Sequence, residues 1–200
     1  MTAVAVIGAT GAAGTTLLSV LRERRFALDH IVLCASERSA GQHLSWNGRS
    51  LMVQAVDESL LAAIDLAFFA AGSATSRRFA PVVAKAGGVA VDKSSAYRAD
   101  PLVPLVVPEV NATTLQGHHG IVANPNCVTI PLTIVLAPLH RAFGLRHVTL
   151  ATYQAASGAG RGMVDELDEQ TRSVAAGNEP RASVYPLSLI HISEPTRQAE

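Results

Sequence analysis

The sequence predicts a doubly wound α/β domain, a parallel sheet with helices on both faces, and three observations carry that prediction. Apolar runs of strand length at residues 3–7, 30–34, 65–69, 89–91, 105–107 and 120–123 alternate with helical patterns, notably at 14–24 and 76–86. The runs are continuously apolar rather than alternating, which marks strands buried on both faces. The first run leads directly into Gly8-Ala-Thr-Gly11-Ala-Ala-Gly14 and then into a helix.

Composition bounds what such a domain can do. Two hundred residues, 48% hydrophobic and 16% charged, suffice for one core and part of another. The formal net charge is zero and there is no basic stripe with interleaved aromatics. Nucleic acid and anionic membrane surfaces are therefore not expected partners, and small molecules are. Two cysteines cannot build a disulfide framework, and the seven scattered histidines give no zinc spacing. That predicts no metal and a reducing compartment, the cytoplasm. No charged leader precedes the first apolar run, and no stretch reaches the ~20 apolar residues of a membrane span.

The glycine turn comes first along the chain. Glycines let a backbone approach a pyrophosphate, and the helix that follows offers unpaired N–H groups and a favourable dipole. Gly8, Gly11 and Gly14 are the glycines expected to bring backbone to a cofactor in a Rossmann-like domain. The spacing is GxxGxxG, and the absence of a following Gly-Lys-Ser/Thr excludes a P-loop. After the second strand stands Ser36-Glu37-Arg38-Ser39. A 2′-phosphate wants arginine and hydroxyl donors, so Ser36, Arg38 and Ser39 favour NADP; Glu37, turned inward, would favour NAD.

The two cysteines read differently. Cys34 closes an apolar run and is expected to be a small buried hydrophobe. Cys127, in Asn124-Pro-Asn-Cys127, stands where a strand gives way through a Pro-containing turn to a helical segment at 128–143. A thiol there meets the positive end of a helix dipole, which favours the reactive thiolate. A thiolate beside a nicotinamide cofactor suggests addition to a carbonyl, hydride exchange and a thioester. Arg98, in Asp92-Lys-Ser-Ser-Ala-Tyr-Arg98, is the candidate bidentate partner for a phosphate or carboxylate.

Residues 1–127 are thus read as the nucleotide-binding domain and 128–186 as the beginning of a second one. The latter is expected to hold the 128–143 helix, a strand at 145–154, a glycine-rich turn at 157–162 and a polar helix at 163–176. Residues 187–197 match the reading-frame translation of a common transposase-end sequencing adapter, so 187–200 are read as a non-native tail.

Five segments carry a resemblance. Gly8-Ala-Thr-Gly-Ala-Ala-Gly14, Ala35-Ser-Glu-Arg-Ser-Ala-Gly41, Val106-Val-Pro-Glu-Val-Asn111, Asn124-Pro-Asn-Cys127 and Thr152-Tyr-Gln-Ala-Ala-Ser-Gly-Ala-Gly160 occur in this order in aspartate-semialdehyde dehydrogenases, which the chain resembles from about residue 2 to 185. The resemblance implies reversible NADP-dependent conversion of 4-phospho-L-aspartate to L-aspartate 4-semialdehyde and phosphate, on the route to lysine (through diaminopimelate), threonine and methionine. It implies an α+β catalytic and dimerisation domain after the first, and a homodimer for the complete protein. Cys127 matches the family's acyl-thioester nucleophile, with Asn126 beside it. Gln154 matches the glutamine that contacts the substrate, and Arg98 the phosphate-binding arginine. Thr10 to Ala13, Arg38 and Ser39 match cofactor contacts, as do Ser157 and Gly158 near the nicotinamide.

Two departures accompany it. Lys93 stands where the family usually carries asparagine, and the family's general acid/base histidine has no counterpart among His118, His119, His140 and His147. The 200 residues alone are accordingly expected to be inactive. An N-acyl-glutamyl-phosphate reductase-like enzyme and a non-catalytic nucleotide-binding module remain alternatives.

Overall fold

The structure, a computed structural model, describes residues 2–184, so the expected tail at 187–200 lies outside the described residues. From the N-terminus, β1 (Ala3–Ile7) leads through the glycine turn into α1 (Ala12–Glu23), followed by β2 (His30–Ala35) and a 3-10 turn (Glu37–Ser39). Next come β3 (His43–Trp46), β4 (Arg49–Ala55), α2 (Glu58–Leu61), β5 (Leu66–Phe69), α3 (Ser73–Lys85) and β6 (Val89–Asp92). Then follow α4 (Pro108–Asn111), β7 (Ile121–Ala123), α5 (Thr129–Phe143), a 3-10 turn (Ala156–Ala159) and α6 (Arg161–Ala175). The chain falls into two compact units, one ending at Thr152 and one beginning at Tyr153.

The first unit is built on a seven-stranded sheet in the order β3-β4-β2-β1-β5-β6-β7. Every pairing is parallel except β3 with β4. From β1 the chain adds β2 and β4 on one side, then returns to place β5 on the other. Strand order therefore reverses between β1 and β5, the point where open α/β sheets bind ligands beyond their strand ends. The loops that follow β1, β2, β5, β6 and β7 all leave from this carboxyl edge.

Alternation along each strand divides the core in two. Ala5, Ile7, Val32, Cys34, Ala67 and Phe69 pack with Phe79, Ala80 and Val83 of α3 on one face. Val6, Leu33 and Val53 pack with Leu18 and Leu21 of α1, and with Trp46, on the other. The strands are buried on both sides, as their apolar runs predict.

Three elements depart from the sequence reading. The β3–β4 hairpin was not anticipated, although its turn carries a strong local signal. Asn47 and Gly48 both adopt positive φ, 48° and 76°, as a two-residue type I′ turn requires. Residues 105–107 form only a bridge between Leu105 and Ala123, because Pro104 and Pro108 flank the run and Pro108 opens α4. The strand expected at 145–154 does not form: the sheet of the described residues ends at β7 and no ladder extends to this run.

The second unit centres on α6, whose buried positions Met163, Glu166 and Gln170 share one face. The Glu166 carboxylate accepts hydrogen bonds from Gln170 Nε2 at 2.9 Å, from the Ser183 amide and hydroxyl, each at 3.2 Å, and from the Val184 amide. Gln170 also donates to the Arg181 carbonyl at 3.1 Å, so residues 181–184 are pinned along the helix.

Candidate active site

The glycine turn is shaped by close backbone approach. Gly8 has φ +88°, and a Cβ there would stand 2.9 Å from the carbonyl of Ala70, beyond β5. A Cβ on Gly14 would lie 2.1 Å from the Gly8 oxygen. Only glycine fits either position. The turn closes through Gly11 N–H donating to the Gly8 carbonyl at 3.0 Å and delivers the chain into α1. No side chain caps α1 and its first turn holds no acidic residue, so its leading N–H groups and positive dipole end are available to an anion. A cavity of about 250 Å³ adjoins the turn, lined by Ile7, Gly8, Ser36, Glu37, Thr75 and Arg78 among others. An uncapped helix start, a turn too tight for a side chain and an adjoining cavity together fit a dinucleotide.

The sequence-predicted cofactor residues divide here. Gly8 and Ser36 line the cavity, and Thr10, Gly11, Ala12 and Ala13 form the turn and helix start. Arg38 and Ser39 follow in the 3-10 turn without lining the cavity, whereas Glu37 does line it.

At the far side of the same sheet edge, Cys127 occupies the turn between β7 and α5 and is exposed. Asn126 shapes this turn. Its Oδ1 accepts the Val128 N–H at 2.9 Å and the Cys127 thiol at 3.9 Å, and its carbonyl accepts the Ile130 N–H at 3.2 Å. The first turn of α5 carries no acidic residue to offset the positive end of its dipole. Cys34 is the opposite case: it is 0% exposed in the core, and burial pushes its thiol up to about 11.

Arg98 binds the cysteine loop to its neighbour. Its Nε donates to the Asn124 carbonyl at 3.0 Å and its Nη2 to the Lys93 carbonyl at 2.8 Å. Two of the five guanidinium N–H donors are thus spent on backbone, and the others have no partner among the described residues. The Lys93 side chain is exposed.

A buried network that sequence reasoning missed holds the 93–98 loop. Asp92, 0% exposed at the end of β6, accepts from Ser76 Oγ at 2.7 Å, Ser94 N at 3.0 Å and Ser94 Oγ at 2.8 Å. Around it, Ser73 shares a hydrogen bond with Ser95 at 3.1 Å, Arg77 donates to the Ala96 carbonyl at 3.3 Å, and Tyr97 Oη donates to the Ser76 carbonyl at 3.3 Å. Desolvation, and then the negative charge of Asp92, raise the Tyr97 phenol above its ordinary range. The available signal was an aspartate ending an apolar strand, since a buried carboxylate must find donors.

Gln154, Ser157 and Gly158 stand in the second unit, the latter two within the 3-10 turn Ala156–Ala159. Among the described residues no group of three or more His, Cys, Asp or Glu side chains is arranged to hold a metal, and no helix is long and apolar enough to cross a membrane.

Comparison with known proteins resolves the family. The family model for the semialdehyde dehydrogenase NAD binding domain matches residues 3–118. The chain belongs to the semialdehyde dehydrogenase family. The family's dimerisation domain model matches residues 136–191. An aspartate-semialdehyde dehydrogenase of Synechocystis is 47% identical over 186 residues, covering 93% of this chain and 55% of that protein. The crystal structure of Vibrio cholerae aspartate semialdehyde dehydrogenase II complexed with ASA has a TM-score of 0.83 at 40% identity, covering 94% of this chain and 56% of the other. The Candida albicans aspartate semialdehyde dehydrogenase with NADP has a TM-score of 0.58 at 26% identity, covering 72% and 48%. This semialdehyde dehydrogenase chain therefore spans about half the length of the curated relatives it matches.

Proposed function

We propose that this chain is the nucleotide-binding and nucleophile-bearing part of an NADP-dependent aspartate-semialdehyde dehydrogenase. The observation that carries the reading is the Arg98 tie: an exposed cysteine and a guanidinium with donors to spare are joined through Asn124 on the sheet edge that bears the glycine turn.

In the reductive direction the Cys127 thiolate attacks the acyl carbon of 4-phospho-L-aspartate. A C–S bond forms, the bond from the acyl carbon to the bridging phosphate oxygen breaks, and phosphate leaves against Arg98. The nicotinamide, when bound, supplies the hydride that reduces the thioester carbonyl. Cleavage of the C–S bond then releases L-aspartate 4-semialdehyde and regenerates the thiolate. Asn126 holds the turn in which the sulfur sits. Gln154, by its match to the family motif, orients the carbonyl with an amide that does not titrate. The glycine turn and α1 hold the pyrophosphate, with Ser36, Arg38 and Ser39 toward the 2′-phosphate; Ser157 and Gly158 match the family's nicotinamide contacts.

The domain boundary is placed at 127/128, the complete protein is a homodimer and its location is the cytoplasm. The dimerisation-domain match at 136–191 supports the second domain and the dimer. The test is an assay of the complete gene product with 4-phospho-L-aspartate and NADPH. Aldehyde and phosphate formed in equal amounts are expected; turnover of N-acyl-glutamyl phosphate instead would contradict the assignment.

A further inference from the structure

The donors around Asp92 divide helix α3 into two sides. Thr75, Arg78 and Phe79 line the cavity beside the glycine turn. Ser73, Ser76 and Arg77 meet the 93–98 loop instead, through Ser95 Oγ, the Asp92 carboxylate and the Ala96 carbonyl respectively. Spacings of three and four residues keep each set together on its own side of the helix. One helix thus borders the nucleotide cavity with one side and grips the loop that carries Arg98 with the other. Ser76 is the buried member of that grip. It is 0% exposed, its hydroxyl donates to Asp92 Oδ1 at 2.7 Å, and its carbonyl accepts the hydroxyl of Tyr97, the residue before Arg98.

A serine inside a helix ordinarily turns its hydroxyl back to a carbonyl of the preceding turn. Here the hydroxyl reaches β6, and a bond to a carboxylate in a dry site is stronger than one between neutral groups. The same carboxylate holds the Ser94 amide and hydroxyl, and Ser94 Oγ in turn accepts the Ala96 N–H at 3.0 Å. The main-chain carbonyl of Asp92 accepts the Asn124 N–H at 2.8 Å, beside the Asn124 carbonyl that anchors Arg98 Nε. We propose that Ser76 is a positioning residue for the anion site: through Asp92 it sets the 93–98 loop, and with it the aim of the guanidinium donors that Arg98 does not spend on backbone. The inference rests on the reading that Arg98 receives phosphate. Being fully buried, Ser76 acts through the loop rather than on the substrate. Removal of its hydroxyl therefore weakens the anion site and spares the nucleotide site on the other side of α3.

The test compares Ser76→Ala, Asp92→Asn, the double variant and Arg98→Ala with wild type in the complete gene product. Oxidative-direction kinetics over a range of phosphate concentrations give KM and kcat, and calorimetry gives the NADP dissociation constant. Ser76→Ala is expected to raise the KM for phosphate about tenfold while kcat and the NADP dissociation constant change less than about twofold. Added to Asp92→Asn, it is expected to raise KM by less than about threefold more, because the two residues act as a unit. Where Ser76→Ala fails to fold, Ser76→Cys, which keeps only a weak donor, carries the same expectation. A role confined to the fold would lower the fraction of active enzyme, and so kcat, with KM unchanged. A rise in KM below about threefold, an equal loss of NADP affinity, or full multiplication of the two single effects overturns the inference. If Arg98→Ala also leaves the phosphate KM unchanged, the Arg98 reading falls; a raised KM in Arg98→Ala with an unchanged one in the Ser76 variant defeats the role of Ser76 alone.

Discussion

The Arg98 Nε donates to the main-chain carbonyl of Asn124 at 3.0 Å, three residues before Cys127. This bond makes the loop after β6 and the loop after β7 one assembly. The proposed phosphate donor thereby helps fix the segment that carries the nucleophile.

Replacing Arg98 removes both functions. In the complete gene product, Arg98→Ala is expected to lower kcat/KM by about 10²–10³, and Arg98→Lys to recover little, because a point charge reproduces neither the planar fork nor the two carbonyl contacts. Steady-state kinetics over a range of phosphate concentrations in the oxidative direction measure the effect. Activity near wild type for Arg98→Lys would remove the geometric argument.

Asp92→Asn places an amide where two serine hydroxyls and the Ser94 amide now donate to a carboxylate. A cost of about 1–3 kcal/mol in stability is expected from the mismatched donors, read by denaturant unfolding. The loosened 93–98 loop is also expected to raise the KM for phosphate more than it lowers kcat. An equal loss in both would mean that Asp92 serves the fold without positioning Arg98.

Much of this could be read from the sequence. Strand runs at 3–7 and 65–69, the glycine turn and the contrast between Cys34 and Cys127 are local patterns, and local sequence encodes them. The β3–β4 hairpin was also locally encoded, in Asn47-Gly48 between runs ending at Trp46 and starting at Arg49, and it was simply missed. The Ser76–Asp92 hydrogen bond was not legible, because it joins a helix to a strand 16 residues away. That Glu37 borders the cavity while Arg38 does not was not legible either, because it depends on how β2 and α3 pack.

The two thiols separate by accessibility. Under native conditions iodoacetamide is expected to alkylate Cys127 first, with Cys34 reacting only on unfolding, as peptide mapping records. Comparable rates for both would contradict the burial of Cys34.

Cys34 also gives a pH dependence. Its folded pKa of about 11 lies above the 9.0 of the free thiol, so between those values the unfolded chain has lost a proton that the folded chain keeps. Stability is therefore full below pH 9 and falls as pH rises toward 11, by an amount on the order of 2 kcal/mol. Cys34→Ala removes this slope while introducing a small cavity cost. Chemical denaturation at pH 8 and pH 10.5 checks it, and an equal slope in the variant would assign the alkaline loss to another group.

The central claim is that Cys127 carries the acyl group. Incubating the complete gene product with L-aspartate 4-semialdehyde and NADP in the absence of phosphate, followed by mass spectrometry of its peptides, tests it directly. The account predicts an aspartyl adduct on the Cys127 peptide that disappears when phosphate is added and never forms in Cys127→Ser. An adduct on another residue, or full turnover by Cys127→Ala, would contradict it.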